Sequence, residues 1–132
     1  MKHIFYLLFL FSSLLGDYRD VHKLSSKKDE EIKIHVLYGG KDKLFKFRWT
    51  LYKNGGLVVH RNYDRVVAQN VLYLNHTNQS FRLKLKPKSS WYQAPYLLVK
   101  FKQFSKNKAE FEIYLFDSEE EINLKYPKKG AK

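Results

Sequence analysis

The sequence contains no cysteine, only three prolines and a single methionine. The missing cysteines exclude a disulfide framework, thiolate metal ligation and cysteine catalysis together. The scarcity of proline leaves long stretches free to run as uninterrupted strands. Acidic residues are also few: 13 Asp and Glu stand against 25 Lys and Arg, a formal charge of +12. Established catalytic signatures are missing as well. There is no Gly-x-Ser-x-Gly elbow, no phosphate-binding glycine loop and no His-Glu-x-x-His. After the first residues, no segment has the run of about 20 apolar residues that spans a bilayer.

The N-terminus carries the first positive signal. Met1, Lys2 and His3 form a short basic start, and Ile4 to Leu15 is an apolar run broken only by Ser12 and Ser13. Gly16 follows as a small residue, and Asp17-Tyr18-Arg19-Asp20 is abruptly polar. That order is the signature of a secretory signal peptide, assigned here to residues 1–16. Leu14 stands where a small residue is usual, so an uncleaved leader that tethers the chain to the membrane is the alternative. Cleavage removes Lys2 as the only charged side chain, and the formal charge falls from +12 to +11.

Residues 17–30 are polar with scattered apolar positions and read as a flexible tether. An all-β domain is expected over 31–127, followed by a basic C-terminal tail at 128–132. Within the domain, aromatic and β-branched residues alternate with polar ones at period 2, the strand signal. Eight strands are expected: Ile32–Tyr38, Leu44–Lys53, Leu57–Asn62, Val66–Leu74, Ser80–Lys86, Tyr96–Phe104, Ala109–Phe116 and Glu121–Tyr126. Gly39-Gly40 and Asn54-Gly55-Gly56 supply turns that accept positive φ. In the second strand, Phe45, Phe47, Trp49 and Leu51 fall on one face.

The last three strands permit a register argument. Phe101 against Phe111, Val99 against Ile113 and Leu97 against Leu115 match apolar residues. Lys100 against Glu112 and Lys102 against Glu110 match charges. A further hairpin then sets Ile113 opposite Leu124 and Lys125 beside Glu112. Apolar and charge matches agree on one register, and a one-residue slip would put charge in the core. An antiparallel sheet with one apolar face needs a second layer over it. The expected fold is therefore a single antiparallel β-sandwich of about eight strands, or a small closed barrel.

The sequence offers little for catalysis. His22, His35, His60 and His76 have no metal-ligand spacing, so no metal or cofactor is expected. Glu119, Glu120 and Glu121 form a solvated acidic turn with nothing to shift a pKa. Arg61, Asp64 and Arg65 are a minor candidate constellation at a strand end. Asn75-His76-Thr77 and Asn78-Gln79-Ser80 match glycosylation acceptors but fall in a turn. The main candidate is a basic ladder that runs into an aromatic loop. Arg82, Lys84 and Lys86 share the outer face of one strand, about 6.6–6.8 Å apart in succession. Lys88, Trp91 and Tyr92 follow. Cations at that spacing suit a row of anionic groups, and the aromatic pair offers stacking surface.

The leader and the Lys-, Asn-, Phe-, Tyr- and Ile-rich composition resemble those of small exported proteins of AT-rich Gram-negative bacteria. That resemblance implies a periplasmic address, with secretion to the medium as the alternative. Such a composition explains much of the charge without a partner, since 20 of the 25 basic residues are Lys rather than the better phosphate reader Arg. Export argues against nucleic acid. The expected function is a non-enzymatic binding module of the cell envelope, contacting an anionic component or an acidic protein. A structural adaptor that docks by strand addition is the alternative, and an enzyme of unrecognised type the third.

Overall fold

The computed structural model describes residues 20–86, 95–116 and 122–126. Among them are nine strands and no helix. They are β1 (Asp20–Lys27), β2 (Ile32–Tyr38), β3 (Lys41–Lys53), β4 (Gly56–Tyr63), β5 (Val66–Tyr73), β6 (Ser80–Lys84), β7 (Tyr96–Ser105), β8 (Lys108–Phe116) and β9 (Asn123–Lys125). One sheet has the order β1-β8-β7-β6 and the other β5-β4-β3-β2-β9, with every pairing antiparallel. The two sheets pack face to face as a β-sandwich and do not close into a barrel.

Alternation along each central strand builds the core. Ile34 and Val36 of β2, Phe45 and Phe47 of β3, and Leu57 and Val59 of β4 are buried from one sheet. Leu97, Val99 and Phe101 of β7, with Phe111, Ile113 and Leu115 of β8, are buried from the other. The aromatic rings mesh across the layers: Phe47 meets Phe111 edge-on at 5.2 Å, and Trp49 meets Phe104 edge-on at 5.3 Å. Offset and edge-on pairs of this kind add about 0.5–1.5 kcal/mol beyond their burial.

Among the described residues, four two-residue turns tie hairpins. Gly39-Gly40, Asn54-Gly55, Asp64-Arg65 and Lys106-Asn107 all hold positive φ at both positions. That geometry matches the right-handed twist of the flanking strands. Glycine and asparagine take it cheaply, whereas Arg65 at φ 69° and Lys106 at φ 54° do so at a steric cost.

The structure corrects the sequence reading at four places. Residues 20–27 are a strand, not a tether, and pair along β8. Their inward row holds only one large apolar residue, Leu24, beside the small Ser26, so the alternation is faint. Second, β9 crosses to the other sheet and pairs with β2, His35 opposite Lys125. Glu112 is flanked instead by Lys100 on β7 and Lys23 on β1. The alternating charge row therefore exists, but with a different third member.

Third, a bulge at Lys102 shifts the register, so Gln103 rather than Lys102 stands opposite Glu110. The tight Lys106-Asn107 turn leaves one residue over on β7, and the bulge absorbs it. Lys102 then reaches Glu112 at 3.8 Å. Fourth, a bulge at Thr50 turns Leu51 to solvent, and Tyr52 stacks on Phe104 at 4.0 Å in its place. From Tyr96 to Phe101 the β7–β8 register is as expected.

Candidate binding cleft

The sandwich has two lateral margins. At one, β1 lies over the β2–β9 side. At the other, β6 lies beside β4 and β5, and there the layers part. The opening is a cleft of about 450 Å³. Its walls come from the β4–β5 hairpin on one side and from β6 and the residues after it on the other.

Arg61 is the residue that makes the cleft unusual. On β4 the inward positions are Leu57, Val59, Arg61 and Tyr63, so an arginine occupies a core-facing site. It tolerates that position because its stem packs inward and its head emerges into the cleft. The guanidinium lies 4.7 Å from the centre of the Phe81 ring, and Nε donates to Asn70 Oδ1 at 2.8 Å. Burial pushes its pKa below the ordinary value, yet a guanidinium stays charged at any physiological pH. A cation partly withdrawn from water attracts an anion more strongly than one at the open surface.

Three further cations line the same cleft: Arg82, Lys84 and Lys86. Arg82 and Lys84 project from the solvent face of β6, as the alternation with Phe81 and Leu83 requires. Arg82 lies 4.9 Å over the Tyr96 ring, and Lys86 lies 5.4 Å over the Tyr38 ring. Of the expected ladder, Arg82 and Lys84 share the outer face of β6, but the strand ends at Lys84, two residues short of the expected Lys86, which lies beyond it over Tyr38 of the other sheet. Lys88, Trp91 and Tyr92 lie outside the described residues.

Among the described residues, one carboxylate lines the cleft, Asp64, and a fifth cation engages it. Lys43 Nζ donates to Asp64 Oδ2 at 2.9 Å. That bond holds the Asp64 carboxyl below the usual carboxylate range and raises the Lys43 ammonium above its own. Of the candidate trio at the strand end, Arg61 and Asp64 line the cleft, whereas Arg65 is spent in the turn.

The floor is held by two tyrosines. The Tyr63 and Tyr38 hydroxyls both donate to the Leu85 carbonyl, at 2.9 and 3.2 Å. Burial pushes the Tyr63 hydroxyl well above its ordinary range, so it stays a donor. Leu85 N donates to Pro95 O at 3.2 Å, which ties the residue after β6 to the residue before β7. With four cations, one engaged carboxylate, and apolar Val66 and Ala68, the cleft has the chemistry of an anion site with a hydrophobic shoulder.

Two other hollows differ in kind. One of about 360 Å³ lies over Lys23, Lys102 and Glu112, where opposite charges meet. One of about 370 Å³ holds the His35–Asp42 pair, 2.9 Å apart. Among the described residues, no three His, Asp or Glu side chains gather as metal ligands.

The edge strand beside the cleft has its own character. β1 carries Asp20, Lys23 and Lys27; β6 carries Arg82 and Lys84; β9 has three residues and ends in Lys125. β5 has eight residues without a charge or a proline. Val66 and Val67 are 69 % and 73 % exposed on it. Charges, proline and shortness are the usual protections of an edge, and β5 has none of them.

Comparison with protein-family models, with curated proteins and with solved structures finds no match to this chain.

Proposed function

We propose that this protein is an exported, non-enzymatic binding module of the cell envelope that holds an anionic group in the cleft between β4–β5 and β6. The observation that carries the proposal is the convergence of Arg61, from a core-facing position of β4, with Arg82, Lys84 and Lys86 on one cleft. An arginine at such a position has a desolvation cost that an aliphatic residue would avoid. Retaining it is reasonable where its charge is used. The leader supports export, and export makes envelope anions and acidic proteins the accessible partners.

The test is calorimetric titration of the purified protein with oligoglutamate, in 50 mM and in 500 mM salt. Arg82→Glu/Lys84→Glu/Lys86→Glu is measured beside it. Binding is expected to weaken at least about tenfold in the variant and at the higher salt. Affinity indifferent to both would overturn the cleft as the site. The address is tested by fractionation: an N-terminus near Asp17 in the periplasmic fraction is expected, and an intact leader in cytosol would contradict it.

A further inference from the structure

The β5 edge and the cleft are adjoining features, and the backbone geometry of β5 links them. The Asp64-Arg65 turn is a two-residue turn, closed by the Tyr63–Val66 pair. In such a hairpin the closing pair is hydrogen-bonded, and bonded pairs then recur at every second residue. Val66, Ala68, Asn70 and Leu72 therefore aim their N–H and C=O groups at β4. Val67, Gln69, Val71 and Tyr73 aim theirs outward. The one outward N–H with a partner fits this rule: Tyr73 N donates to Asn78 O at 3.0 Å. Among the described residues, the outward groups of Val67, Gln69 and Val71 have none. Three consecutive docking positions for another strand thus lie beside the cleft.

Side-chain alternation decides what such a strand would carry. Residues directly opposite one another across a ladder share a face. Partner residues opposite Val67, Gln69 and Val71 point to the outer face, where Val67 and Val71 expose apolar surface. The intervening partner residues point to the inner face. There they extend past Val66 and Ala68 into the space bounded by Arg61, Lys84 and Lys86. Carboxylates belong at those intervening positions, and apolar or β-branched residues at the others.

Resting on the anion-binding reading above, we infer that the ligand is an extended acidic polypeptide. It adds antiparallel to β5 and places alternate Asp or Glu side chains in the cleft. Charge selects this occupant over a second copy of the chain. Pairing β5 with another β5 would bring two strongly basic chains, and two basic clefts, to one margin. An acidic strand matches both the free backbone groups and the cations.

The experiment uses the purified protein and three labelled nine-residue peptides that alternate Glu with Val or Thr. The first is unmodified. The second is N-methylated at the Val and Thr residues, whose N–H groups would face β5. The third is N-methylated at the Glu residues, whose N–H groups would face away. Fluorescence anisotropy is expected to show the first and third binding alike and the second at least about tenfold weaker. Hydrogen exchange at Val67, Gln69 and Val71 is expected to slow with the first peptide.

Equal, salt-sensitive binding of all three peptides without that protection would overturn strand addition while leaving the anion cleft standing. Binding to phosphatidylglycerol vesicles or inorganic phosphate, with no affinity for any peptide, would overturn it in favour of a lipid or a small anion. Loss of every anion at once would remove the cleft reading too. A dimer through β5 in sedimentation of the protein alone would also contradict the inference.

Discussion

The two margins of the sandwich are built to opposite plans. Where β1 lies over the β2–β9 side, polar and aromatic groups pair across the layers. The Trp49 indole N–H donates to the Ser26 carbonyl at 2.9 Å, and the His22 ring stacks on Tyr126 at 3.7 Å. Glu112 is bracketed by Lys23 and Lys102. Where β6 meets β4 and β5, the core-facing row of β4 includes Arg61 and the cleft is lined by four cations. The same fold closes one margin with a hydrogen bond and stacked rings across the layers and lines the other with four cations. Cations gathered beside a gap suit the anionic partner proposed above.

Substitutions that break this contrast should separate stability from binding. Trp49→Ala removes a buried indole from Phe104 and its bond to β1. A loss of about 3–5 kcal/mol in urea unfolding is expected, with little change in oligoglutamate affinity at temperatures where the protein stays folded. Arg61→Met at the open margin should do the reverse. Oligoglutamate affinity is expected to fall about tenfold, the worth of one charge-assisted hydrogen bond, while the unfolding midpoint moves little.

Ser26→Ala sharpens the picture of the closed margin. The Ser26 hydroxyl is buried and has no hydrogen-bond partner among the described residues. Removing it should stabilise the protein by up to about 1 kcal/mol in the same urea assay. Arg65→Gly relieves the left-handed strain in the β4–β5 turn and should add about 0.5 kcal/mol.

The smallest effect is the pH dependence of Asp64. Its carboxyl is held below the usual range chiefly by the Lys43 hydrogen bond. The folded pKa lies below the unfolded one, so the stabilisation is complete above the unfolded value and is lost as pH falls through the folded one. Asp64→Asn should remove that acid-limb contribution from a pH series of unfolding midpoints. It should also raise oligoglutamate affinity slightly, because it takes a carboxylate off the cleft.

The central strands were largely legible in the sequence, and their assignment to two sheets and the margins were not. Alternation of Phe81 and Leu83, or of Val99 and Phe101, has a single strand solution, and β2 begins and ends where the periodicity does. Partner choice is weaker information. Leu124 alternates equally well beside β8 or β2, and only the packing of two layers sends it to β2. Lys102 satisfies a charge match to Glu110 on paper, but turn closure overrides it with a bulge.

The alternation of Arg82 and Lys84 was readable because charge occupied every second residue, whereas the end of β6 before Lys86 was not. Arg61 was hidden inside a polar run, His60 to Arg65. The signal that finds it is parity: counting from Leu57 and Val59 places Arg61 on the core side. The uncharged edge of β5 was likewise written in Val66–Tyr73, but only the sheet order makes that strand an edge.

The most direct test of the central claim is a backbone amide NMR titration with the unmodified alternating peptide, which views both margins at once. Shift changes are expected at Arg61, Val67, Ala68, Gln69 and Lys84, with the amides of His22, Ser26 and Tyr126 unmoved. Perturbations centred on β1 and β9, with the β5–β6 margin silent, would contradict the account.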